Sequence, residues 1–109
     1  MFLMFDMESI HAMFIGNAVK FTEHFKIRLK ERSIRFSDVK QALMSGEIIE
    51  EVSNDQPNPS VLVLGYANNN VPLHIAIGIG DDLLWLVTAY IPSCDIWEND
   101  YKTRKDVDR

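Results

Sequence analysis

Cysteine is nearly absent from this sequence: Cys94 is the single thiol in 109 residues. That excludes an internal disulfide and any zinc site built from several cysteines. Cys94 follows Pro92-Ser93 with no basic neighbour in sequence, so nothing marks it as a nucleophile. Long apolar runs are missing too. Runs such as Leu83–Val87 are far too short to cross a bilayer. The apolar start Met1–Phe5 has no basic flank and meets Asp6 at once, which does not make a signal peptide. These features read as a small cytoplasmic domain with no membrane segment. No repeat, no linker and no cofactor motif stands out, and no cofactor is expected.

What is present is enough to fold. Apolar residues make up 47% and charged residues 25% of a 12.5 kDa chain. Those proportions supply the apolar surface that offsets the entropy of ordering, so one domain over residues 1–109 is expected. Its helical part should cover about 6–45, its sheet about 47–91, and a C-terminal segment 92–109. The unusually apolar Met1–Phe5 is suited to docking on the core or to supporting a homodimer.

The formal net charge is −5, which excludes a uniformly basic coat. The charge is unevenly spread, however. Seven of the eleven lysines and arginines lie between Lys20 and Lys40, against three acids. The other four are Lys102, Arg104, Lys105 and Arg109. Between Gln41 and Tyr101 there is no cation and there are nine acids. A basic helix next to an acidic sheet can hold an anion at one end and repel it elsewhere.

Periodicity gives three helices and then strands. Met7, Ile10, Met13 and Phe14 predict a helix from Asp6 to about Gly16. Thr22 caps a second, to about Arg32, with Phe21, Phe25 and Leu29 as its buried stripe and His24, Arg28 and Arg32 on an adjacent one. Ser37 is expected to cap a third, with Asp38 in its first turn and Gly46 as a left-handed terminator. Strands are expected over 47–52, 61–67, 71–79 and 83–91, and a short helix over 95–104. The fold class is α+β: two to three N-terminal helices packed on one side of a four-stranded antiparallel meander.

Register then gathers a polar set. Three-residue turns at 68–70 and 80–82 pair Tyr66 with Pro72, Leu64 with His74, His74 with Thr88 and Pro72 with Tyr90. Tyr66, His74, Thr88 and Tyr90 converge on one face, beside the small residues Ala76 and Gly78. A turn of different length would scatter them. Trp85 falls on the opposite, core-like face. Trp97 is expected to cover the sheet end or to anchor the C-terminal segment.

Several phrases resemble one family. Thr22-Glu23-His24, Arg28 and Glu31-Arg32-Ser33-Ile34 begin the likeness. Asp38-Val39, Ala42-Leu43 and Gly46-Glu47-Ile48-Ile49 follow, then Leu64-Gly65-Tyr66 and Pro72-Leu73-His74. Trp85–Tyr90, Trp97-Glu98 and Tyr101–Arg104 close it. Together they resemble the family called domain of unknown function 4258, over roughly residues 6–106. Ser33 departs from the glycine frequent there.

That family looks related to the barnase/EndoU/colicin/RelE-like group of small nucleases, which includes bacterial toxins. The resemblance implies a RelE-toxin-like fold and a metal-independent endoribonuclease or toxin component. Such chemistry needs a proton acceptor, a proton donor and positive charge at the phosphorane. His24 or His74 fits the base or acid, and Arg28 and Arg32 fit the phosphate clamp. Thr88 would orient His74, and Tyr90 would donate a proton. Tyr66 and Lys26 are candidate substrate contacts. RNA and an antitoxin-like protein are the implied partners. The alternative is a non-catalytic protein-interaction domain on a degenerate nuclease fold. A metal site from His24, His74, Asp81, Asp82 or Asp95 is disfavoured, because no short ligand spacing occurs.

Overall fold

The computed structural model of the chain describes residues 6–52 and 60–105. The apolar start Met1–Phe5 and the loop around Asn54–Pro59 lie outside the described residues.

Helix α1 spans Met7–Ile15. The Asp6 carboxylate accepts the Ser9 N–H at 2.9 Å, which holds its carboxyl below the usual range. Asn17, with φ 65°, turns the chain into a short strand β1, Val19–Phe21. Helix α2 spans Glu23–Glu31. The Thr22 hydroxyl accepts the Phe25 N–H at 3.0 Å and donates to the Leu86 carbonyl at 3.2 Å. One side chain therefore both caps α2 and fixes it to the sheet.

Helix α3, Phe36–Met44, starts earlier than a Ser37 cap implies. Arg35 is the N-cap, and the Asp38 carboxylate reaches back to its N–H at 3.0 Å. An acidic side chain at the third helical position serves that reach-back well, so it overrides Ser37. Gly46 is not left-handed either, since no glycine has positive φ. Its value is closeness. A Cβ there would lie 2.6 Å from Val63 Cγ1 and 2.8 Å from the Ala42 carbonyl oxygen. A Cβ on Gly65 would overlap the Ala42 peptide itself. These two glycines let the end of α3 sit directly on the sheet.

Strands β2 (Glu47–Val52), β3 (Ser60–Tyr66), β4 (Pro72–Gly80) and β5 (Leu83–Tyr90) form the antiparallel meander. The sheet is nevertheless five-stranded and mixed, in the order β1-β5-β4-β3-β2. β1 runs parallel to β5, with Val19 opposite Leu84 and Phe21 opposite Leu86. Three residues between two helices are too few to show a period of two. Leu73, Ile75, Ile77, Leu84 and Leu86 face the helices and pack with Ile10, Phe25, Leu29, Val39 and Leu43.

The β4–β5 register differs from a three-residue turn by two compensating steps. Asp81 and Asp82 have φ of 55° and 61°, a two-residue turn that pairs Gly80 with Leu83. Alone, that one-residue slip would exchange the faces of β5. A bulge at Val87 adds a second slip, so Ala76 pairs with Thr88 and His74 with Tyr90. His74 therefore lies opposite Tyr90 instead of Thr88, on the same face. Trp85 pairs with Gly78 on that face too, away from the core, and its Nε1–H donates to the Gly80 carbonyl at 3.1 Å.

Residues 95–104 form no helix. They make turns closed by a bridge between Trp97 and Arg104. The Asp100 carboxylate explains the change. It accepts the Lys102 and Thr103 N–H groups at 2.9 and 3.0 Å and the Thr103 hydroxyl at 2.7 Å, a local alternative to helical bonding. Among the described residues, no helix is long and apolar enough to cross a membrane.

Candidate functional site

Two places gather chemistry-bearing side chains: the sheet face opposite the helices, and the edge where α2 meets β5. On the first, β2 contributes two acids to one face despite their spacing of three. A bulge at Ile49 puts Glu47 opposite Leu64 and Glu50 opposite Leu62. The rows then run Glu47–Leu64–His74–Tyr90 and Glu50–Leu62–Ala76–Thr88 across the sheet.

The C-terminal segment closes over these rows. His74 is 0% exposed. Its Nε2 lies 2.6 Å from the Tyr101 carbonyl, which only accepts, so Nε2 carries the proton. Nδ1 then accepts from the Tyr90 hydroxyl at 3.2 Å. Trp97 stands edge-on to the imidazole at 4.5 Å between centroids, and the Arg104 guanidinium lies 4.6 Å over the indole. Arg104 is held in turn by Glu50 at 2.8 and 3.0 Å, and Lys102 by Glu47 at 3.2 Å. Burial pushes the His74 pKa down and the Tyr90 pKa up. The neutral imidazole thus has both nitrogens committed within the chain. It works here as a tie between sheet and tail, with no lone pair left for a substrate.

The second place is open. β1 pairs with β5 only as far as Leu86, so the following stretch of β5, paired with β4 on one side, has no strand on its other side among the described residues. α2 fills part of that space. Arg32, at its C-terminus, donates through Nη1 to the Ala89 carbonyl at 2.8 Å and to Thr88 Oγ1 at 3.3 Å. Its remaining N–H groups have no partner among the described residues. Arg28 pairs with Glu31 at 2.7 Å, and His24 and Lys26 are exposed. Tyr66 is 37% exposed on the far side of the sheet.

The structure therefore joins Arg32 to Thr88, and His74 to Tyr90. It does not bring His24 to His74. His24 stands on the helical side of the sheet, and His74 is enclosed on the other. The spacing of residues did not single out Tyr101, Glu50 and Arg104 as parts of the enclosure. The available signal was charge complementarity between Glu47-x-x-Glu50 and Lys102-x-Arg104. Among the described residues, no three His, Cys, Asp or Glu side chains gather as a cation site.

The family profile described as "Domain of unknown function (DUF4258)" matches residues 21–91. The chain belongs to this family. No curated protein and no solved structure matches it. The DUF4258 match runs from the end of β1 through β5, so it contains His24, Arg28, Arg32, His74, Thr88 and Tyr90. Helix α1 and the closing segment with Trp97, Tyr101 and Arg104 lie outside it.

Proposed function

We propose that this DUF4258 domain is a metal-independent endoribonuclease whose working surface is the open α2–β5 edge. The observation that carries the reading is Arg32. One guanidinium nitrogen is fixed to β5, which orients the group, while the rest of its donor fork has no partner among the described residues. Arg28 and His24 precede it at intervals of four on the same helix, so three phosphate-competent or proton-accepting groups follow one stripe.

In this reading His24 takes the proton of an RNA 2′-hydroxyl. The 2′-oxygen bonds to phosphorus and the bond to the 5′-oxygen breaks. The departing oxygen takes a proton from solvent, leaving a 2′,3′-cyclic phosphate. Arg28 and Arg32 offset the charge of the phosphorane. His74, Thr88 and Tyr90 support the sheet instead of the reaction.

A second reading rests on a separate observation. The enclosure of His74 leaves no assembled acid–base pair among the described residues, which favours a non-catalytic domain that binds an antitoxin-like protein. End-labelled single-stranded RNA in the presence of a chelator separates the two. The first reading expects cleavage with cyclic ends, reduced about 100-fold or more in His24→Ala. No cleavage with intact folding, together with co-purification of one specific protein, supports the second.

A further inference from the structure

Beside Arg32 lies a cleft of about 250 Å³ between the α2–α3 connector and the β3–β4 turn. Its inner wall is apolar: Ile34 and Leu73 are buried and Val71 is half-buried. Its rim is polar. Arg32 and Arg35 stand on the connector side and Asn68 and Asn69 on the turn side, all four exposed. The side chains of Arg35, Asn68 and Asn69 have no hydrogen-bond partner among the described residues. Exposed Ile91 flanks the opening. One carboxylate, Asp38, also lines the cleft, but it is occupied in capping Arg35.

We infer that this cleft holds one unpaired nucleobase of an RNA strand whose adjacent phosphate lies on Arg32. The inference rests on the RNA reading of the α2–β5 edge and adds what that edge lacks, a place for a base. The chemistry fits on three counts. An apolar wall of this size accepts a base π-face. Guanidinium planes stack on bases, and primary amides bond to base edges. A bare phosphate is a poorer occupant, because Asp38 opposes it and the wall is apolar. An apolar protein side chain would leave two guanidiniums and two amides without work. The base must be unpaired, since a paired one exposes no free face.

The test compares nucleoside 3′-monophosphates with ribose phosphate and inorganic phosphate, read by NMR on the full chain. The nucleotides should shift the Asn68 and Asn69 amide signals. They should also bind roughly tenfold more tightly than ribose phosphate, the order expected for stacking one base. Ile91→Ala, at an exposed position and with no change of charge, should reduce that preference and leave phosphate affinity in place. Asn68→Ala should weaken it. Equal binding of nucleotide and ribose phosphate overturns the base site while leaving the Arg32 phosphate site intact. Binding of every probe that is unchanged in Arg32→Ala overturns the RNA reading itself.

Discussion

The two faces of the sheet are built by different physics. Toward the helices, Leu73, Ile75, Ile77, Leu84 and Leu86 meet Phe25, Leu29 and Leu43 in an apolar layer. On the other side the cover is a turn-rich segment held by a histidine, two aromatics and two ion pairs. The apolar layer is non-directional and tolerates repacking. The polar cover depends on register. It requires the bulges at Ile49 and Val87 to bring Glu47, Glu50, His74 and Tyr90 to one side. The fold also changes the meaning of the charge pattern. Acids of β2 and cations of the tail, distant in sequence, neutralise one another, which leaves α2 as the basic surface.

Substitutions on the two sides should break them differently. The largest effect is expected at the helical side from Gly65→Ala. Its Cβ would collide with the Ala42 peptide, and backbone cannot move aside cheaply, so a loss of several kcal/mol or failure to fold is expected by denaturant unfolding. Phe25→Ala should cost about 3–5 kcal/mol by the same measurement, because a fully buried ring leaves a cavity. On the other face Trp97→Ala should cost less than Phe25→Ala. It should have a second signature: His74 gains water, and its imidazole titrates closer to the ordinary 6.5.

The pH dependence sharpens the contrast further. His74 is held below 6.5 mainly by burial, with Glu50 acting against that shift and Arg104 with it. As pH falls below about 6.5 the unfolded chain takes up a proton that the native chain refuses, so stability drops. The drop ends once pH passes below the lowered native value. His74→Gln should flatten the His74 part of that slope in unfolding curves collected across this window. The smallest effect is expected from Lys102→Ala. Its pair with Glu47 is about half exposed on both sides, so a loss of about 0.5 kcal/mol is expected by thermal or denaturant unfolding.

The same contrast explains what was legible in the sequence. Thr22 acts as the cap its position suggested, and the buried stripe of α2 is Phe25 and Leu29. Those signals are local, because a cap or a helical period lies within a few residues. The Tyr66–Pro72 and Leu64–His74 pairs also follow from one turn. β1 did not announce itself, since Val19–Phe21 gains strand character only from β5, over sixty residues away in sequence. The bulges are equally silent: Ile49 and Val87 look like any other strand residue. Trp85 changes face for a different reason: the Asp81-Asp82 turn has two residues instead of three, and Trp85 lies between that turn and the Val87 bulge. The enclosure of His74 depends on Tyr101 offering a backbone carbonyl, which no side-chain pattern encodes.

The central claim is that the open α2–β5 edge, and not the enclosed His74 face, is the working surface. Hydrogen exchange on the full chain with and without a short single-stranded RNA tests it directly. The account predicts slowed exchange over 22–32 and 87–90, with 97–104 unchanged. Protection confined to 97–104, or release of that segment with His74 exposed, would contradict it.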